Sequence, residues 1–194
     1  MKGDRVNGII IGLVTDLGDP ESLGRVRVKF PYLGDQLSDW ARLVTPMAGK
    51  GRGLFLRPEV GDEVLVAFEL GDPQRPYILG SLWSQIDTPP PDDGQAEQNN
   101  WRFLQSRSGH IVKLDDTQGA EKIEIIGSDN QRRIVFDIAG QKIQIVCDSG
   151  DVEVSAPAGT VKVEAMTIEV KSSANMTLEA TGTMTIKGAT VNIN

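Results

Sequence analysis

Few side chains in this sequence are able to carry out chemistry, and they are scattered. The 194 residues contain one histidine, His110, and one cysteine, Cys147. Catalytic and metal sites need several such groups in a defined arrangement. We interpret His110 as a turn or hydrogen-bonding residue. We interpret Cys147 as a small core residue, because it continues Ile143 and Ile145 at a spacing of two and has no second cysteine for a disulfide.

Carboxylates are more numerous, but their spacing is that of a solvated surface. Toward the C-terminus, Glu164, Glu169 and Glu179 alternate with apolar residues along short segments. A uniform ladder of this kind has no cleft in which a pKa would be shifted for acid–base work. The sequence therefore predicts a protein that is not an enzyme, with no catalytic residue, no cofactor and no bound metal.

Cations could instead indicate a partner. The basic residues of the N-terminal part are Arg25, Arg27, Lys29, Lys50, Arg52 and Arg57. The formal net charge is nevertheless −7 and the sequence pI is about 4.8. This acidity argues against a protein that binds the phosphate backbone of a nucleic acid. We expect no stable nucleic-acid binding.

The elements that carry these residues begin with a predicted barrel at 1–83. The stretch "GRVRVKF" at 24–30 alternates apolar and cationic side chains, and turn residues such as those of "GDPQRP" at 71–76 separate it from similar segments. The candidate strands are residues 8–15, 24–31, 40–46, 62–70 and 76–83. Five short strands without a long helix predict a small barrel of the OB type.

A linker and a strand repeat are predicted next. Residues 84–100, "SQIDTPPPDDGQAEQNN", contain three consecutive prolines and four carboxylates, which is typical of a linker. At 101–194 the sequence predicts short strands joined by tight turns, with a repeat of about eight residues over the last seventy. The predicted inward-facing residues of this needle are Ile143, Ile145, Val152, Val154, Val161, Val163, Ile168, Val170, Met176, Leu178, Met184, Ile186, Val191 and Ile193.

These inward residues need a cover that one chain does not supply. Each repeat offers two apolar side chains, too few to enclose a core, and an open sheet would leave a large exposed apolar patch. Three copies wound about one axis would bury every pair and remove most free sheet edges. The predicted fold class is therefore all-β, with an N-terminal OB-fold barrel followed by an intertwined trimeric β-helix, a triangular β-prism formed by a homotrimer.

An ordered set of motifs adds a family resemblance. "RPEVGDEVLVAF" at 57–68 is followed by "GDPQRPYILGSLW" at 71–83 and "SGHIVKLDDTQG" at 108–119. This order resembles the spike proteins of contractile tails, namely the phage baseplate assembly protein V family and the VgrG proteins of type VI secretion. The signature turn residues on which the resemblance rests include Gly24, Pro58, Gly61, Asp62, Gly71, Asp72, Pro73 and Gly80.

The resemblance implies a trimeric collar at 1–83 and a needle at 101–194 that together form the central spike of an injection machine. Such a spike caps the tube and pierces the target envelope when the sheath contracts, and its role is mechanical. Since the barrel begins almost at Met1, we expect a separate hub protein at the collar end. Some spikes carry a lysozyme domain where only the 84–100 linker stands here.

The predicted needle tip follows from the same resemblance. Some spikes close in a point where an H-x-H motif binds iron, whereas His110 lies just after the linker. We therefore expect the end of the needle to be a platform for a PAAR-type tip protein. Its residues are Val191, Ile193 and Asn194.

Two other functions would need features that the sequence does not clearly combine. A nucleic-acid-binding OB protein would need a basic groove with stacking aromatics, and a carbohydrate-active β-helix would need long loops and an acidic pair.

The short N-terminal apolar run, interrupted by Gly12 and followed by Asp16, does not fit a signal peptide. We expect synthesis in the cytoplasm and a place in a phage tail or in an extracellular or secreted contractile particle.

Overall fold

The computed structural model describes residues 5–6, 8–94 and 96–193. The chain divides into two compact units, one ending at Val146 and one beginning at Cys147. The first unit contains two large sheets. In the described part of the chain, no helix has the length and apolar character required to cross a membrane.

The described residues before position 83 contain eight strands, and each of the five predicted segments contains one of them. The strands are β1 (Ile9–Asp16), β2 (Arg27–Phe30), β3 (Gln36–Leu37), β4 (Arg42–Leu43), β5 (Ala48–Gly49), β6 (Arg52–Gly53), β7 (Glu63–Phe68) and β8 (Pro76–Leu82). Six of them form one sheet in the order β3-β2-β1-β7-β8-β4, and β5 and β6 form a separate hairpin. The sequence did not predict β3, β5 or β6.

Hydrogen bonds at the two sides of the six-stranded sheet close it into a barrel. Val26 precedes β2 and Ala41 precedes β4, and each backbone N–H donates to the other residue's carbonyl, at 3.0 and 2.8 Å. The segment leading into β4, the last strand in the sheet order, therefore returns to the beginning of β2. This closure agrees with the predicted OB-type barrel and leaves fewer free edges.

The barrel core is formed by alternate residues of these strands. Val26, Val28 and Phe30 are fully buried, whereas the cations between them are only partly buried. The rings of Phe30 and Phe68 pack with their centroids 5.8 Å apart. The alternation predicted for residues 24–31 is thus confirmed, since one face of β2 lines the core.

Residues 101–147 form the second large sheet. Its strands are β9 (Trp101–Gln105), β10 (Ile111–Asp115), β11 (Lys122–Ile126), β12 (Arg132–Asp137) and β13 (Lys142–Cys147). They lie side by side in chain order, and the pairings of β9 with β10, β10 with β11 and β11 with β12 are antiparallel. Each strand of this sheet therefore has at least one neighbour from the same chain.

The segment 148–193 differs from the sequence-based expectation. The alternation there predicts strands, but among its described residues the structure contains no strand. A strand requires a neighbour that accepts and donates ladder hydrogen bonds, and this segment has no such neighbour within its own chain. The trimeric prism remains a prediction, because the structure contains a single chain.

Candidate assembly interface

The 101–147 sheet has one apolar face that the chain leaves uncovered. In the antiparallel register Val112 lies opposite Leu104 and Ile125, and Leu114 lies opposite Ile123, and directly opposed side chains share a face. We call this surface the apolar face. Its described members, which are 37 to 52 % exposed, are Leu104, Val112, Leu114, Ile123, Ile125, Ile134 and Phe136.

The other face of this sheet carries charges, yet it is the sheltered one. The Lys113 ammonium lies 2.6 Å from Glu124, 3.7 Å from Asp115 and 4.1 Å from the centre of the Trp101 ring. Only 13 % of the Lys113 side chain is exposed. We call these four residues the Lys113 cluster. Polar groups that are sheltered in this way are stable only when they are paired, and the cluster satisfies its charges within one chain.

Asp115 illustrates the pairing in the cluster. Burial by itself would raise the pKa of its carboxyl group, but hydrogen bonds from the Thr117 hydroxyl and backbone N–H, at 2.6 and 3.1 Å, together with the nearby Lys113 ammonium, lower this pKa below its ordinary value. Asp115 is therefore held as an anion. The charged face needs no further partner, so the apolar face is the one available for assembly.

The predicted needle residues are exposed apolar residues as well. Ile143 and Ile145 lie in β13, and the other members follow in segment 148–193. These members are Val152, Val154, Val161, Val163, Ile168, Val170, Met176, Leu178, Met184, Ile186, Val191 and Ile193. All fourteen are 47 to 88 % exposed in the single chain. Their burial stays a prediction for an assembled form.

The predicted tip platform is only partly described. Val191 and Ile193 are exposed, whereas Asn194 lies outside the described residues. The platform therefore also stays a prediction.

Residues between the needle residues pair along the same segment. Lys162 contacts Glu164 at 2.6 Å and Lys171 contacts Glu169 at 2.7 Å, with all four side chains at least 70 % exposed. Such exposed pairs contribute little to stability. They agree with the interpretation of these carboxylates as a solvated surface.

The first group of signature turn residues forms the turn before β7, and this turn is hydrogen-bonded to β1. Gly61 has a φ of 102°, which favours glycine, and its N–H donates to the Val14 carbonyl at 2.9 Å. The Asp62 carboxylate accepts the Glu59 N–H at 2.8 Å. Pro58, which is buried, begins this turn. These residues shape the barrel wall.

The second group shapes the turn and strand that follow β7. Gly71 has a φ of 77°, and its carbonyl accepts the Val6 N–H at 2.9 Å. Asp72 accepts the Gln74 N–H through its carboxylate, at 3.0 Å, around the partly buried Pro73. Gly80 lies in β8 beside a shift in the β7–β8 register, as expected for glycine at a bulge.

Gly24 has a different role, which the sequence alone did not predict. Its φ is 74°, and a Cβ atom at this position would lie 2.9 Å from the Phe55 ring. The absence of a side chain at Gly24 therefore leaves room for the Phe55 ring to approach the backbone. The signature turn residues do not converge on one reactive site, and their individual roles stay proposals.

Phe55 belongs to a surface that the sequence analysis missed. The β5–β6 hairpin and its flanks border an open groove of about 1140 Å³ that is lined by residues from the ranges 22–25 and 42–56. We call it the hairpin groove. The signal in the sequence is the apolar run Leu54, Phe55 and Leu56 between a glycine and an arginine, because consecutive exposed apolar residues are unusual outside binding surfaces.

His110 lies at a turn, and Cys147 is the last residue of β13. The Nδ1 atom of His110 accepts the Ser128 N–H at 3.1 Å, and the His110 N–H donates to the Ser106 hydroxyl at 3.0 Å. His110 is thus a hydrogen-bonding turn residue. The Cys147 thiol donates to the Ser149 carbonyl at 3.2 Å and is partly exposed. Within the described ranges, no three metal-ligating side chains come together.

Comparison with known proteins adds to this geometry. Residues 10–83 match the family described as the type VI secretion system/phage-baseplate injector OB domain. The chain is 31 % identical over 134 residues to the type VI secretion system spike protein VgrG1a of Pseudomonas aeruginosa, a stretch covering 63 % of this chain and 21 % of that protein.

Relatives from Vibrio cholerae give a similar result. The type VI secretion system spike protein VgrG3 is 31 % identical over 111 residues, which are 53 % of this chain and 11 % of that protein. The actin cross-linking toxin VgrG1 is 31 % identical over 108 residues, which are 52 % of this chain and 10 % of that protein. The chain thus spans about a fifth or less of the length of these curated relatives.

Proposed function

Because this chain belongs to the family of VgrG and phage-baseplate spike proteins, we propose that it forms the trimeric central spike of a contractile tail or of a phage-tail-like injection particle. In this proposal the barrel is the collar that caps the tube, and residues 101–194 form the needle. Sheath contraction drives the needle through the target envelope. The role is mechanical, and the protein catalyses no reaction.

The observation that carries this proposal is the exposure of apolar residues in both units, namely those of the apolar face and the needle residues. Both sets alternate with polar residues, and each of their members, from Leu104 to Ile193, is at least 37 % exposed in one chain. A soluble protein avoids a surface of this size unless a partner covers it. Further copies of the same chain supply an equal and complementary surface.

The backbone of 148–193 supports an intertwined arrangement rather than simple side-by-side docking. No strand forms in this segment among the residues the structure describes, so most of its N–H and C=O groups lack ladder partners. Buried backbone groups require such partners. Three chains around one axis supply ladders between copies and bring the apolar pairs together on the axis.

The proposed partners follow from the family. They are the other two copies of the homotrimer, a hub protein at the collar, a PAAR-type tip protein at the end of the needle and, transiently, the target envelope. The exposure of Val191 and Ile193 supports the tip contact.

Light scattering coupled to size exclusion tests the trimer. The expected mass is about three times the 21.0 kDa of one chain. Circular dichroism on the same sample reports whether the strand content exceeds that of β1 to β13 alone, as it should when segment 148–193 forms ladders. A well-folded monomer at micromolar concentration would contradict the proposal.

A further inference from the structure

The hairpin groove has the character of a peptide-binding surface. Its apolar lining includes Leu23 and Phe55, which are 68 % and 73 % exposed. Its cations are Arg25, Arg42 and Arg52, and the lining contains no carboxylate. Among the residues that the structure describes, Phe55 is the one aromatic residue of this lining, and extended proline-rich segments dock against aromatic side chains in grooves.

Two of the three arginines retain an uncompensated charge. Arg25 is paired with Asp19 and Glu21, at 2.7 and 3.1 Å. Across the part of the chain that the structure describes, neither Arg42 nor Arg52 forms an ion pair; Arg42 instead lies 5.6 Å from the centre of the Tyr77 ring. The groove is therefore electropositive on a protein whose net charge is −7.

The linker that follows the barrel has the complementary composition. Between Arg75 and Arg102 there is no lysine or arginine, whereas residues 84–97 contain Asp87, Asp92, Asp93 and Glu97. Three consecutive prolines at 89–91 favour an extended conformation. Ile86 stands before them with 91 % of its surface exposed. The linker thus combines an apolar anchor, an extended backbone and negative charge.

We propose that the hairpin groove of each copy binds residues 84–97 of the linker of a neighbouring copy. Ile86 and the prolines lie against Phe55 and the apolar lining, and Asp87 pairs with Arg42 or Arg52. Each chain gives its linker to the next, so three identical contacts close a ring. This inference rests on the proposed trimer. It adds a contact between copies that holds the three barrels of the collar together.

A neighbouring copy is the occupant that the single chain favours. The groove and the linker both belong to the first compact unit, yet the linker contributes no residue to the lining that the structure describes. Ile86 lies four residues after the end of β8 at Leu82 and, at about 3.3 Å per residue, reaches up to about 13 Å from its own barrel, so the proposal places the groove of the next copy within that distance of the end of β8. The charge complementarity between groove and linker then acts between copies.

Cysteine cross-linking tests the contact. In a Cys147→Ser background, Met47→Cys is placed in the groove and Gln85→Cys in the linker, so that Phe55 and Ile86 stay intact. Oxidation of the full-length double variant should give covalent dimers and trimers on a denaturing gel without reductant. The matched control replaces Gln85→Cys by Gln118→Cys, an exposed turn position, and should give at least tenfold less cross-linked product.

Charge reversal gives an independent readout. Arg52→Glu in the cross-linking variant should reduce the yield at least fivefold, and adding Asp87→Arg should restore it. Arg75→Glu is the control, because Arg75 is exposed and lies outside the groove, and it should leave the yield unchanged.

Light scattering on the same samples separates this inference from the proposed function. A mass of three chains without a cross-link between copies overturns the linker contact and leaves the trimer standing. A faster-migrating monomer, produced by an internal disulfide, shows that the linker binds its own groove and overturns the contact between copies. A monomeric mass overturns both proposals.

Discussion

The Asp19 carboxylate binds the Arg25 guanidinium at 2.7 Å and also accepts the Leu23 and Arg25 backbone N–H groups, at 2.8 and 3.2 Å. Only 2 % of the Asp19 side chain is exposed. One side chain thus holds the loop between β1 and β2 closed and sets the position of Arg25 beside the hairpin groove.

This relationship predicts acid sensitivity of the barrel. The hydrogen bond from Arg25 holds the pKa of Asp19 well below its ordinary value, so the unfolded chain binds more protons than the native one near the unfolded pKa of about 3.9. The stabilisation is therefore fully present above that pH and is lost as pH falls toward the folded pKa.

Thermal melting between pH 6 and pH 2 should be less acid-dependent in Asp19→Asn than in the parent protein. Asp39→Asn is the exposed control, and an Asp19→Asn profile parallel to that of the parent would refute the assignment.

The Lys113 cluster predicts a stability loss when one partner is removed. Lys113→Met leaves the Glu124 and Asp115 carboxylates sheltered without their cation, and we expect a loss of about 3 kcal/mol in the free energy of unfolding, at the lower end for a broken buried pair. Urea unfolding measures this loss. Arg75→Met, which removes an exposed ion pair, should cost less than about 1 kcal/mol.

A double variant separates the unpaired charges from the lost side chain. Lys113→Met combined with Glu124→Leu should recover part of the stability, because one sheltered carboxylate is then removed. If Lys113→Met alone were as stable as the parent protein, the cluster would have no structural role.

The proposed inward direction of the needle residues predicts the effect of a buried charge. Ile186→Asp would place three carboxylates around one axis at a cost on the order of several kcal/mol each, so the surrounding layers of the needle should come apart. Melting temperature and mass in solution report the effect. Thr185→Asp, one position earlier on the opposite face, should assemble normally, and an Ile186→Asp trimer with unchanged melting would show that Ile186 does not face the axis.

The proposed intertwining of three chains predicts slow rather than merely unfavourable dissociation. In such a trimer, ladders between copies would have to break over the whole needle before one chain could leave, so its loss would be governed by a rate. On a denaturing gel the unheated protein should migrate as a trimer and the heated protein as a monomer. A chain ending at residue 147, which lacks the proposed interchain ladders, should migrate as a monomer without heating; equal resistance of both chains would place the stabilising contacts in the barrel instead.

The sequence by itself determined the positions of β1, β2, β4, β7 and β8 and the alternation of apolar residues in the predicted needle. Period-two patterning predicts β2 and β7 because apolar side chains on one face of a strand must leave water together. Gly71 and Asp72 likewise predict a turn because their conformational and hydrogen-bonding preferences are local. Such preferences act between near neighbours in sequence and can be recognised without knowing the fold.

Only the tertiary structure decided which distant residues meet. The Val26–Ala41 bridge closes the barrel, Gly24 leaves room for Phe55, and β5 and β6 form a hairpin of two-residue strands too short to show a period. The register of the 101–147 sheet decides that the Lys113 cluster lies on the sheltered face while its apolar face is exposed. Alternation predicts that two faces exist, but which of them is covered depends on pairings between strands and, for segment 148–193, on a neighbour that its own chain does not provide.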